Sequence, residues 1–143
     1  GWPSRAGLRR GRVEAQPEPA MALRDFLKEI LASVEGALGV AVVRLDGEVV
    51  DAHTLDGGLR IEKVAPDLGI LAKVSAYAAR KLSAGPVDYS VVSAEKYVLL
   101  LSAVEVDYAL VIALRQGGNL GKARLLMKKN LERVAAQLRS LGS

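Results

Sequence analysis

The chain has 143 residues, half of them hydrophobic, a quarter charged and 4% aromatic, with a net charge of +4 and no cysteine. That length suffices for one domain with an aliphatic core, and the missing cysteines exclude disulfides and thiolate metal sites and fit a cytoplasmic protein. The excess charge divides evenly between residues 1–20 and the rest, and acids interleave with bases beyond residue 20, so the one-sided basic face of a nucleic-acid binder is not expected.

Residues 1–20 hold Pro3, Pro17, Pro19 and four arginines without an apolar period. They read as a disordered leader or tail ahead of a domain at 21–143, with Met21 resembling a natural start. No stretch of about 18 apolar residues occurs, so no membrane span is expected.

Leu23, Phe26, Leu27, Ile30, Leu31 and Val34 then recur at helical spacing. They predict a helix from Ala22 that Gly36 and Gly39 stop. Val40–Leu45 and Glu48–His53 read as strands. Asp46-Gly47 lies between them, a hairpin signal that expects positive φ at both turn positions. Asp56-Gly57-Gly58 makes a loop.

Arg60–Ser83 reads as a second helical region, and Pro66 places the start of its regular helix near that residue. Leu68, Leu71, Ala72, Ser75, Ala78, Ala79 and Leu82 mark one face, rich in small side chains that permit close packing. After Gly85-Pro86, three strands are expected at Val87–Ser93, Tyr97–Val104 and Asp107–Leu114. Their connections are too short for anything but antiparallel neighbours. Asn119 is a good N-cap for a closing helix to Ser140. Leu120, Ala123, Met127, Leu131, Val134, Leu138 and Leu141 line one side of that helix.

The order is therefore α-β-β-α-β-β-β-α. This predicts an α+β sandwich: a five-stranded antiparallel sheet with one face covered by apolar helix stripes.

No catalytic constellation accompanies it. Gly117-Gly118-Asn119-Leu120-Gly121-Lys122 invites a phosphate-loop reading, but Gln116 stands where the first glycine belongs and Ala123 where the magnesium-holding hydroxyl belongs. A turn with an N-cap explains the segment better. His53, the only histidine, shares a strand face with Asp51, and one histidine cannot assemble a histidine–carboxylate zinc cluster. It reads as a satisfied edge-strand residue. Asp88, Glu105 and Asp107 are strand-end acids with no sign of a shared cleft. Tyr89, Tyr97 and Tyr108 sit in strands, but Tyr89 is flanked by Asp88 and Ser90 and Tyr108 by Asp107, so sheet packing explains them better than the exposed aromatics with basic neighbours of an RNA-binding sheet. The expectation is no enzyme, no cofactor and no metal.

The Val87–Ser93 strand follows Gly-Pro and is expected at an edge, without Lys, internal Pro or a bulge signal to protect it. Such an edge recruits a partner strand. A two-fold dimer would pair it with its own copy and bring the preceding small-residue helix against its mate. Leu71, Ser75 and Ala78 from the helix, with Val87, Tyr89 and Val91 from the strand, are the expected interface.

The element order, the Gly39-Val40 lead into the Asp46-Gly47 hairpin, the alanine-rich middle helix and the strand running into Asn119-Leu120-Gly121-Lys122-Ala123-Arg124 resemble the roadblock family of dynein light chains and bacterial GTPase regulators. The resemblance covers about 22–141. It implies a profilin-like sandwich and a homodimer joined through the middle helix and third strand into one continuous sheet. It further implies an accessory role with a Ras-like small GTPase, as activator or scaffold in polarity, motility or signalling, acting on the GTPase's own switch residues. Lys73, Tyr77, Arg80 and Lys81, on the solvent side of the middle helix, are the expected partner contacts, because basic and aromatic groups suit an interface. A structural adaptor subunit of a motor or signalling complex would use the same dimer. A small-molecule sensor would need convergent polar groups in a pocket, against which the aliphatic strands speak.

Overall fold

Strands buried from end to end cannot leave one face to water, and this chain has two of them. In the computed structural model, which describes residues 19–55 and 57–142, β1 (Ala37–Arg44) and β5 (Tyr108–Arg115) are buried along almost their whole length. The other elements are α1 (Pro19–Ser33), β2 (Val49–Thr54), α2 (Ile61–Lys81), β3 (Ser90–Ser93), β4 (Tyr97–Val104) and α3 (Leu120–Gly142). The expected element order holds. Of the leader expected at residues 1–20, residues 1–18 lie outside the described part, while Pro19 and Ala20 form the first turn of α1.

The sheet is wholly antiparallel in the order β2-β1-β5-β4-β3. The central strand β5 pairs on one side with β1, from the opposite end of the domain, with Val42 opposite Leu110, and on the other with β4, with Leu100 opposite Ile112.

Helices cover both faces of this sheet, which corrects the expectation of one covered face. Alternation along each strand sorts the side chains. Val40, Val42, Leu100, Leu110, Ile112 and Leu114 turn toward α1 and α3, where Leu23, Leu27, Ile30, Met127 and Leu138 meet them. Ala41, Val43, Leu101, Ala109 and Val111 turn toward α2 and pack on Ile61, Ala65 and Leu68. The physical reason lies in the strands: continuous β-branched and aliphatic runs, not an apolar–polar alternation, mark a sheet buried on both sides.

Three local readings also change. The β1–β2 turn has positive φ at Gly47 alone. Arg44 N–H donates to Glu48 O and Gly47 N–H to Arg44 O, the pattern of a three-residue loop with a bulge. α2 starts at Ile61, not near Pro66. Buried Ile61 and Ala65 hold its first turns on the sheet, and the missing Pro66 N–H removes a single helical bond. β3 begins at Ser90, so Val87, Asp88 and Tyr89 precede the strand; Ser102 Oγ donates to Asp88 O at 2.8 Å and fixes that stretch beside β4.

Candidate interaction surface

α2 outruns the sheet it packs on. Its 21 residues span about 31 Å, while an eight-residue strand spans about 26 Å. All its buried residues, Ile61, Ala65, Leu68 and Gly69, fall in the first half. From Ile70 onward the helix leaves Ile70 59%, Val74 57% and Tyr77 54% exposed. These three sit at i, i+4 and i+7, one stripe on one helix face.

β3 lies at the sheet edge, with its outer side unpaired among the described residues. Val91 and Val92 point to opposite faces and both are exposed. Yet the strand is held firmly. Ser90 Oγ bonds Ser75 Oγ at 3.0 Å, joining it to α2. At its far end Gln116 Nε2 donates to Ser93 Oγ at 2.8 Å and to Ala94 O at 2.6 Å. An edge strand pinned at both ends is preorganised to accept another strand.

The residues expected at the surface divide into groups. Lys73, Tyr77, Arg80 and Lys81 are all exposed on α2, and Lys81 Nζ lies 4.7 Å from the centre of the Tyr77 ring. Leu71 is half-buried against the α2-side core. Ser75 has its hydroxyl on Ser90. Val91 is on the edge strand. Val87 and Tyr89 lie ahead of it, and the Tyr89 ring sits 4.4 Å below the Arg124 guanidinium of α3. Tyr89 and Val91 therefore face the α1/α3 side, whereas Leu71, Ser75 and Ala78 belong to the α2 side. Ile70, Val74 and Val92 lie outside the residues expected from sequence. The Ile70-Val74-Tyr77 spacing carries the signal, but the small-residue face points to the opposite side of the helix.

The polar clusters elsewhere are structural. Asn119 Oδ1 accepts the Lys122 N–H at 3.0 Å, an N-cap bond, and Asn119 N–H donates to Glu35 O. His53 Nε2 meets Asp51 Oδ2 at 3.2 Å on edge strand β2. Arg24 Nε stands 3.9 Å from the same oxygen. Arg44 beside Asp46 has its guanidinium pKa raised further, chiefly by that charge. The Glu62 carboxyl is held below its ordinary value, first by its own backbone N–H at the start of α2 and then by Arg60. Among the described residues, no group of three or more His, Cys, Asp or Glu is placed to hold a metal, and no helix is long and apolar enough to cross a membrane.

No family model and no curated protein matches the chain. Solved structures do. The Roadblock/LC7 domain from Streptomyces avermitilis is 17% identical over 80% of this chain and 95% of that one, with a TM-score of 0.71. The gliding protein MglB from Thermus thermophilus is 19% identical over 85% of this chain and 92% of that one, with a TM-score of 0.74. These two share the fold. MglC from Myxococcus xanthus is 32% identical over 80% of this chain and 98% of that one, with a TM-score of 0.59.

The chain belongs to the roadblock family.

In this roadblock chain the uncovered half of α2 and the open β3 edge adjoin, joined by the Ser75–Ser90 bond. Together they form one apolar surface with cations at its margin. Such a surface suits protein association more than chemistry: it offers Ile, Val and Tyr side chains and an unpaired backbone edge.

Proposed function

We propose that this roadblock chain is a non-catalytic homodimer that serves as a platform for a Ras-like small GTPase, modulating its hydrolysis or its location. The Ile70, Val74 and Tyr77 stripe beside an open, pinned β3 edge carries the reading. Two copies related by a two-fold axis would pair β3 with β3 and bury the stripe, with Leu71, Ala78 and Val91 near the axis. Val87 and Tyr89 flank that pairing on the other face. Lys73 and Arg80, with the outer edge of Tyr77, then face away from the seam as a basic and aromatic rim, and Lys81, in line with the stripe and over the Tyr77 ring, closes it at the helix end. An acidic surface on a GTPase would complement such a rim. Membership of the roadblock family supports the GTPase as partner class, and the gliding protein among the similar structures supports motility or polarity as the setting.

The test is capture of Ras-like GTPases from the source organism, loaded with GTP or GDP, on the immobilised dimer. Preference for one nucleotide state supports the regulator. Equal binding of both would instead make the chain a structural adaptor. The Tyr77→Ala, Lys73→Glu double variant is expected to abolish binding; unchanged affinity removes these residues from the contact.

A further inference from the structure

On the opposite side of the sheet from the α2 surface, a groove of about 430 Å³ runs between α3 and residues 87–89. Met127 and Leu131 form its apolar floor, Val87 and Tyr89 one wall, and Arg124 and Lys128 the other. Leu125 stands on the rim, 65% exposed.

The charge around the groove is predominantly positive. From Leu120 to Leu131, α3 carries Lys122, Arg124, Lys128 and Lys129 and no acid. All four are exposed, and none forms an ion pair among the described residues. Elsewhere the molecule pairs several of its cations: Arg24 approaches Asp51, Arg60 bonds Glu62, and Arg139 bonds Glu105. Arg124 is also set in place, its guanidinium lying over the Tyr89 ring, which leaves its N–H edge free to donate. Asp88 is the one acid in the lining.

We propose that this groove docks an acidic amphipathic helix of another protein. Its apolar stripe would lie on Leu125, Met127 and Leu131, and its carboxylates would meet Arg124 and Lys128. Helix-in-groove recognition needs an apolar trough for side chains at i, i+3 and i+4 and flanking charge to set orientation; the groove has both. Residues 1–18 of the same chain are the wrong complement, because they hold four arginines against two glutamates. A membrane is the wrong shape, because Met127 is almost wholly buried at the bottom of a concavity and a flat bilayer would reach only the rim. The groove uses none of Ile70, Val74, Tyr77, Lys73, Arg80 or Lys81, so it lies apart from the rim proposed for a GTPase, although its Val87 and Tyr89 wall adjoins the flank of the proposed β3 seam.

The test uses the purified full chain and a fluorescein-labelled peptide of roughly 18 residues, about five helical turns, with leucines at i, i+3, i+4 and i+7 flanked by glutamates. Two further arms use the same peptide with lysine for each glutamate, and vesicles rich in phosphatidylglycerol. The expected result is saturable binding of the acidic peptide alone, with amide shifts in the NMR spectrum centred on Tyr89, Arg124 and Leu125. Arg124→Glu and Leu125→Asp, both at exposed positions, should each weaken binding by about tenfold or more, while Lys28→Glu on α1 leaves it unchanged. Melting curves verify that the variants fold. No binding of the acidic peptide, equal binding of the basic one, shifts confined to α2 and β3, or preferential capture by vesicles would each overturn the proposal.

Discussion

A Cβ built on Gly69 would stand 2.2 Å from the carbonyl oxygen of Leu45. The neighbour is backbone in the β1–β2 turn and cannot swing aside. Helix propensity favours alanine over glycine by about 1 kcal/mol, so an unhindered Gly69→Ala change would stabilise. Here the clash wins. The expected outcome is a loss of about 1–3 kcal/mol in denaturant unfolding, with α2 displaced from the hairpin. A variant as stable as the parent would mean that α2 has slack against the sheet.

Ile70→Asp with Val74→Asp removes the apolar stripe without touching the core. Both side chains are more than half exposed, so the isolated subunit should keep its circular dichroism spectrum. Its mass by light scattering should fall to that of one chain at micromolar concentration, whereas the parent should show twice that mass. If the variant keeps the parent's mass, the stripe does not hold the copies together.

Gln116→Ala cuts the two bonds that fasten the end of β3. Net hydrogen bonds are worth about 1 kcal/mol each at most exposed sites, so global stability should drop only slightly. The local effect should be larger. Amide exchange at 90–93 should quicken while β1 and β5 stay protected. Uniform exchange changes across the sheet would contradict the pinning role.

Glu62 contributes through its charged form. Its folded-state pKa is depressed from 4.5, so its stabilisation is present above that value and is lost as pH falls through the folded value. Glu62→Gln should therefore lower the melting temperature slightly at neutral pH. Below the depressed value the two proteins should melt alike. A difference that persists in acid would assign the effect to something other than the carboxylate.

Much of the fold is legible in the sequence because local and global signals agree. β4 falls at Tyr97–Val104 as its apolar run and flanking turns require, and Asn119 caps α3 by the bond its side chain favours. Legibility fails where tertiary contacts override a local rule. Pro66 marks a helix start in isolation, but its ring packs on Gly47 and the burial of Ile61 extends the helix ahead of it. Val87–Tyr89 alternates like strand, yet Ser102 and Arg124 hold it from the side. The candidate surface is half legible. The cations and Tyr77 can be placed outward from helical phase, but telling which of two apolar stripes on α2 meets the sheet requires knowing where the sheet ends.

The pairing of β1 with β5 also governs how the protein comes into being. Val42 and Leu110, adjacent in the finished sheet, are about 70 residues apart along the chain, a long loop to close before any reward arrives. A chain emerging from the ribosome makes β1 and its hairpin early, then must wait for β5 before the middle of the sheet exists. During that interval Val40, Val42 and Val43 are an apolar ribbon open to any passing strand, so synthesis at high concentration should call on chaperones. By the same logic, two fragments severed between α2 and β3 should each fail to fold alone and should recover the native spectrum only when mixed.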